Sequence, residues 1–399
     1  MMIALENASI SVIIPSRNPS AIFSKVLDSI NNQVLLPDEI VIVDSSLDNS
    51  VKNMVEAFEG SINIVYKKVK KAYPGKARNI GVEIASGQWI AFLDCMTVPD
   101  VTWLNNSLLL ASNFHLDVLF GAWKIEAINN YQKFLRAASF GMITNETLPG
   151  TIIRKKVFRE SGGFIDFVRA GEDIEWRERL RSQGWKYQNA LFPVITYHGI
   201  SNNYIDTIKK YLIYSFHTAR VNILHNVKDA YLSLLLILSA IVLPKWNYLI
   251  TGWDTNPLFV PHVTKIYLIA LILLFLSYQF IHYLFFRNMS QSVYSKTLQL
   301  ILLIFLTLAV LNWNAVIAGW LEDAVLYLPH VTKIYVGAVI FTSILYRGIL
   351  LPLKREVEAS FLFPFRWIRI GLLGLSLDLI KAPGYLLGAV FGIVRRKAN

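Results

Sequence analysis

The chain has 399 residues, of which 54% are apolar and only 17% charged, and its mean hydropathy is +0.42. That is too apolar for two or three ordinary soluble domains. The formal net charge of +11 gathers beside apolar stretches, a pattern that points to anionic headgroups and away from nucleic acid. Cys95 is the single cysteine, which excludes an intramolecular disulfide, and Met1–Asn7 lack a basic run leading into an apolar core, so no secretory leader is expected.

Two β-branched runs, Ile10–Pro15 and Glu39–Asp44, flank the helical stretch Ser20–Gln33, which reads as a βαβ opening. A third run, Ile62–Lys67, leads through Lys68, Lys70 and Lys71 and Pro74-Gly75 into a helix over Lys76–Ala85, and Trp89–Leu93 forms a further strand ending at Asp94. Sheets of this kind bind ligands outside the carboxyl ends of their strands, where this chain carries Ser16, Arg17 and Asn18, then Asp44, Ser45 and Ser46, then Asp94. No Gly-x-Gly-x-x-Gly follows the first strand and no Gly-x-x-x-x-Gly-Lys-Ser/Thr occurs, which argues against a dinucleotide site and a P-loop. Gly171-Glu172-Asp173 opens a helical run, placing an acid pair at a helix N-terminus.

Beyond Asn203 the composition changes. Apolar positions from Ile205 to Phe216 recur at helical spacing among Lys209, Lys210 and Arg220, which reads equally as an interfacial helix or as a linker packed on the domain. Four stretches are then long enough to span a bilayer: Ala230–Trp253, Ile266–Phe286, Thr297–Trp320 and Ile334–Leu353. Arg347 falls in the last, where it is expected to snorkel to a boundary. Basic residues around the spans predict both chain ends in the cytoplasm. Pro261–Tyr267 recurs letter for letter as Pro329–Tyr335, within a unit of about 67 residues, so the spans form two repeated hairpins. The hairpins share one orientation and carry no intramembrane carboxylate, which argues against a transporter. From Phe361 onward, Arg366, Arg369, Asp378, Lys381 and Pro383 interrupt the apolar tail, which reads as amphipathic helices on the cytoplasmic face.

The sheet segment resembles the nucleotide-diphospho-sugar transferases of glycosyltransferase family 2. The resemblance spans about Ile10–Ser201. It rests on Ser11–Asn18, Glu39–Ser46, Gly75-Lys76-Ala77-Arg78-Asn79-Ile80-Gly81, Gly87–Asp94, Gly162-Gly163-Phe164, Gly171-Glu172-Asp173 and Tyr197-His198, taken in that order. It implies an α/β, GT-A (Rossmann-like) mixed-sheet domain, followed here by the all-α membrane domain of four transmembrane helices in two repeated hairpins. The expected boundaries are 1–202 for the transferase domain, 203–228 for the linker helix, 229–290 and 291–357 for the hairpins, and 358–399 for the tail.

Carried onto this chain, the resemblance implies that Pro15, Arg17 and Asp44 hold the nucleobase and that Arg78 lies near the diphosphate. Asp94 and Glu172 complete the donor site, and Asp173 is the catalytic base. An ionised Asp accepts an imide N–H and Arg offers a fork to phosphate oxygens, so the residue types suit those tasks. The plainer readings are a turn residue for Asp44, a solvated helix face for Arg78, an N-cap acid for Asp173 and a satisfied histidine for His198. Asp94-Cys95-Met96 stands where the family carries Asp-x-Asp, and the Met96 thioether is a poor ligand for a hard cation. A divalent ion, Mn or Mg, would then rest on Asp94, His198 and the diphosphate.

The expected activity is inverting transfer of a sugar to a hydroxyl of a lipid-linked or membrane-proximal glycan, because a phosphate acceptor needs no base. Transfer to a polyprenyl phosphate is one alternative, and a non-catalytic sugar-nucleotide-binding scaffold is another. No Gln-x-x-Arg-Trp follows His198, which argues against a processive polymerase. Membrane lipids and further copies of the chain, joined through the hairpins, are the other expected partners.

Overall fold

Strict alternation along the central strands fixes a three-layer arrangement. Ile10, Val12 and Ile14 face one core with Ile40 and Ile42, whereas Ile13 faces the other with Val41 and Val43. Strands buried on both faces need cover on both, and helices supply it. The computed structural model describes residues 8–192, 194–221, 341 and 343–396. The strands are β1 (Ile10–Ser16), β2 (Glu39–Asp44), β3 (Asn63–Lys68), β4 (Trp89–Phe92), β5 (Thr97–Pro99), β6 (Val118–Ile125), β7 (Asn145–Arg154), β8 (Tyr187–Asn189) and β9 (Ile195–Tyr197). Their order is β3-β2-β1-β4-β7-β6-β9-β5, with β8 also on β6. The first four strands run parallel, and β7 joins them antiparallel.

Helices α1 (Ile22–Asn31), α2 (Ser50–Glu56) and α4 (Trp103–Asn113) send Phe23, Val26, Leu27, Val51, Trp103 and Leu104 into the first core. On the other face, α3 (Pro74–Ile84), α6 (Lys155–Glu160) and α7 (Glu172–Ser182) bring Ala77, Val82, Phe158, Trp176 and Leu180. Phe92 meets Phe164 and Trp176 edge-to-face, and Phe164 and Trp176 stack at a tilt, which packs the start of α7 against β4.

The C-terminal segment returns to this domain. Residues 1–223 and 347–399 form one compact unit and residues 224–346 a second, which lies almost wholly outside the described residues. Helices α5 (Asn130–Ser139) and α8 (Tyr204–Arg220) receive the short α9 (Leu351–Lys354) and α10 (Ala359–Leu362) and the long α11 (Arg366–Arg396). Leu377 joins Leu135 and Ile200 in one cluster, and Ile370 joins Ala137 and Ala138 in another. The Arg355 guanidinium donates to the Ser139 carbonyl at 2.7 Å.

This corrects the expected fold class and the multi-pass, cytoplasmic placement. No helix among the described residues is long and apolar enough to cross a membrane. The first three expected spans, both copies of the repeat and the hairpin assembly they suggested lie outside the described residues. Arg347, expected at a lipid boundary, instead pairs with Asp378 of α11 at 2.7 Å. The tail is one helix that runs through Pro383, with Asp378 and Lys381 in its apolar stretch. Its buried residues, Ile370 and Leu377 among them, pack on α5 and α8, partners that hydropathy alone does not reveal, while Ile368, Leu372, Leu379 and Leu387 stay exposed.

Candidate functional site

The carboxyl ends of β1, β2 and β3 meet around Asp44. Register sets Ser16 beside Asp44 and Asp44 beside Lys68, with Ile42 beside Tyr66. Tyr66 and Lys68, two residues apart on one face, therefore both reach the Asp44 carboxylate. Oδ2 accepts from Tyr66 Oη and Lys68 Nζ, each at 2.8 Å, and Oδ1 accepts from the Ser46 amide at 2.8 Å. Burial opposes the charge on this fully buried acid, but the bonds from Lys68, Ser46 and Tyr66 prevail and hold its pKa below the ordinary Asp value. Burial and the Asp44 charge together push the Tyr66 phenol up to about 12. Pro15 is half-buried at the end of β1, Arg17 is exposed in the following loop, and the Asn18 amide donates to Ser46 Oγ at 2.7 Å.

Further along this edge, α3 carries Arg78 to the start of α7. Gly75 makes this approach possible, since a Cβ there would sit 3.2 Å from Glu172 Cγ and collide with the Ile165 carbonyl. Arg78 Nη1 donates to Glu172 Oε1 at 2.9 Å and Nη2 to Asp94 Oδ1 at 2.6 Å. The Arg78 side chain is only 5% exposed, against 33% for Asp94. Burial works against the guanidinium, yet Asp94 and Glu172 keep it charged. Glu172 has the opposite balance: burial and the charge of Asp173 outweigh Arg78 and push it up to about 7. Its Oε2, like Arg78 Nε, has no hydrogen-bond partner among the described residues.

Gly171, left-handed at φ +90°, is the N-cap of α7, so Asp173 is not the cap but the second residue of the helix. Its side chain is 30% exposed, with Arg177 Nη2 at 3.5 Å, and Arg177 also donates to Glu146 at 2.7 Å. The helix N-terminus stabilises the anion there. Asn79, one residue past Arg78, binds the Phe164 amide at 2.9 Å and its carbonyl at 2.8 Å, which anchors the loop leading to α7.

After β4, Thr97 Oγ1 accepts from the Asp94 amide at 2.8 Å and donates to its carbonyl at 2.7 Å, closing a tight turn over Cys95 and Met96. Burial and the Asp94 charge raise the Cys95 thiol to about 11, so it stays protonated. The His198 amide donates to the Met96 carbonyl at 2.9 Å, and the ring Nδ1 contacts a Glu126 oxygen, leaving Nε2 as its remaining ligating atom. Among the described residues no three His, Cys, Asp or Glu side chains converge as a metal cluster. Asp94 offers a hard carboxylate oxygen and His198 a borderline imidazole nitrogen, and Met96 adds no hard donor.

Pro15, Arg17, Asp44 and Ser46 thus line one end of the sheet edge, and Arg78, Asp94 and Glu172 lie in mutual contact beside Asp173. Lys68, which the sequence shows as part of a basic run, meets the Asp44 carboxylate; Tyr66 and Asn79 carry no expected role in the sequence, although the spacing of Tyr66 and Lys68 opposite Asp44 is a register signal. The mixed sheet and its acid-rich carboxyl edge define an α/β domain of the GT-A-like type. Residues 11–172 match the family described as Glycosyl transferase family 2. Glycosyltransferase AglE of Haloferax volcanii is 24% identical over 189 residues, 44% of this chain and 62% of that protein. Chondroitin synthase of Escherichia coli is 27% identical over 37% of this chain and 23% of its own length. The Escherichia coli UDP-Glc:alpha-D-GlcNAc-diphosphoundecaprenol beta-1,3-glucosyltransferase WfgD is 27% identical over 35% of this chain and 60% of its own. The match thus spans less than two thirds of each of these relatives. Among solved structures, Staphylococcus aureus TarS residues 1–349 with UDP-GlcNAc is 16% identical, with a TM-score of 0.41, covering 88% of this chain and 91% of that one.

Proposed function

We propose that the domain transfers a sugar, with inversion, from a nucleotide-diphospho-sugar to a hydroxyl of a lipid-linked or other glycan acceptor. The carrying observation is Asp173: a carboxylate at a helix N-terminus, 30% exposed and next to the buried Arg78 centre. In this reading Asp173 takes the proton of the acceptor hydroxyl as its oxygen bonds to the anomeric carbon. The bond from that carbon to the diphosphate breaks, and the nucleoside diphosphate leaves with the electron pair. Asp44, whose pKa is held below the ordinary Asp value, takes a donor N–H of the nucleobase, with Pro15 and Arg17 beside it. Glu172 and Arg78 hold the start of α7 against Asp94 and so position the base.

The hydroxyl acceptor is supported by the need for a base and by the name of WfgD, which acts on a sugar carried by diphosphoundecaprenol. Asp94 and His198 Nε2 would hold a Mn or Mg ion, whose chemistry there is to offset charge on the leaving diphosphate. The test is to screen the full chain against UDP-, GDP- and dTDP-sugars, with and without Mn²⁺, and to compare Asp173→Asn. We expect donor binding within about two-fold of wild type and turnover lower by about 10² or more. Unchanged turnover sinks the base assignment.

A further inference from the structure

The guanidinium expected at the diphosphate, Arg78, is committed elsewhere. Both its Nη atoms bind carboxylates and only 5% of its side chain is exposed. A diphosphate entering this cleft brings two or more negative charges beside Asp94 and Asp173, and such a group needs cations with free donors.

Two cations without a carboxylate partner share one aromatic ring beside this edge. Arg169, four residues before Asp173, and Lys210 of α8 form no ion pair among the described residues. Both are half-buried and stand against one ring, with Arg169 Cζ 5.8 Å and Lys210 Nζ 5.6 Å from the centre of Tyr214. Lys210 Nζ donates to Tyr197 Oη at 3.2 Å and to the Gly199 carbonyl at 3.0 Å, which leaves one N–H uncommitted. Tyr197 pairs in register with Thr97, the residue that closes the Asp94 turn, so β9 ties Lys210 to the acid edge. The charge of Arg169 is felt at Cys95, Tyr197 and Lys210, which places it at the same edge. Two like charges held together partly out of water are unfavourable unless an anion joins them.

We propose that Arg169 and Lys210 are the diphosphate-binding pair of this site, receiving the donor's diphosphate in place of Arg78. This rests on the nucleotide-sugar reading above. Arg offers a fork to two oxygens and Lys a single charge-assisted bond, and Tyr214 and Tyr197 hold both in place.

Calorimetry on the full chain with inorganic pyrophosphate, UDP and GDP tests it. Arg169→Gln and Lys210→Gln should each weaken pyrophosphate, and whichever nucleotide binds, by about ten-fold, and the double variant by about 10². Arg169→Lys with Lys210→Arg should retain most of the affinity, and matching thermal midpoints separate lost binding from lost folding. Asp44→Ala should weaken the nucleotide and spare pyrophosphate. Wild type that binds no pyrophosphate, or a double variant that binds it as wild type does, overturns the proposal. Loss of pyrophosphate with nucleotide affinity unchanged overturns the donor assignment and points to an acceptor phosphate. Loss of both in an enzyme that transfers no sugar upholds the anion pair and removes only the activity proposed above.

Discussion

Asp44 and Glu172 are both buried acids at the carboxyl edge of one sheet, yet their protonation is pushed in opposite directions. Asp44 takes three hydrogen bonds, two of them from side chains placed by strand register, and its pKa lies below the ordinary value. Glu172 takes one side-chain donor, which it shares with Asp94, and has Asp173 as a like-charged neighbour, so it rises to about 7. Burial opposes the anion in both; the number of donors decides the sign. The Asp44 end is thereby an acid whose anion is favoured by donors on paired strands. The Glu172 end depends on one long side chain, and there burial favours the protonated form.

The largest way to break this contrast is Arg78→Met. Removing the one cation between Asp94 and Glu172 leaves the buried Glu172 and the part-exposed Asp94 uncompensated, for a loss of about 3 kcal/mol in urea unfolding. No single donor of Asp44 carries as much. A loss under about 1 kcal/mol would show that water already screens the pair.

Glu172→Gln sharpens the contrast through pH. The folded pKa of Glu172 lies above its unfolded value of 4.5, at about 7, so its contribution is fully present below 4.5 and is lost as pH rises to 7. Gln keeps an oxygen for Arg78 but cannot titrate. The stability of wild type relative to Glu172→Gln should therefore fall between pH 4.5 and 7, as read from thermal midpoints across that range. Asp44 acts with the opposite sign, stabilising above 3.8 and losing that contribution as pH falls. A flat difference between wild type and Glu172→Gln would place Glu172 in a wetter setting than its 6% side-chain exposure implies.

Much of the donor half was legible from sequence because its strands alternate and end in polar residues. The runs expected at Ile10, Glu39 and Trp89 all became parallel strands, and Asp173 fell in the first turn of a helix. Arg78 was not legible in this way. Lys76, Arg78 and Asn79 look alike in a helix sequence, and only the close approach at Gly75 turns Arg78 inward. The partner of the tail was not legible for a different reason. Hydropathy measures how much apolar surface must be covered but not by what, and here residues such as Leu377 and Ile370 are covered by α5 and its neighbours. Lys210 is visible in the sequence only as a basic residue of a helical stretch, and its pairing with Arg169 is not, because the ring that unites them belongs to a helix outside the family's motifs.

The smallest effect expected is that of Lys68→Met, and it probes the comparison most finely. Lys68 is 37% exposed on its side chain, so its 2.8 Å pair with Asp44 is partly screened and its loss should cost about 1 kcal/mol or less. The Ser46 amide and the Tyr66 hydroxyl remain on the carboxylate. With the strongest lowering contact gone, burial gains weight and Asp44 moves toward the behaviour of Glu172. The acid limb of unfolding should then begin at a higher pH than in wild type, while the limb governed by Glu172 stays where it was. Acid titration of the thermal midpoint in both proteins separates the two limbs. An acid limb that does not move would mean that Tyr66 and Ser46 alone fix the anion, and that the contrast between the two acids rests on backbone and hydroxyl donors instead of on charge.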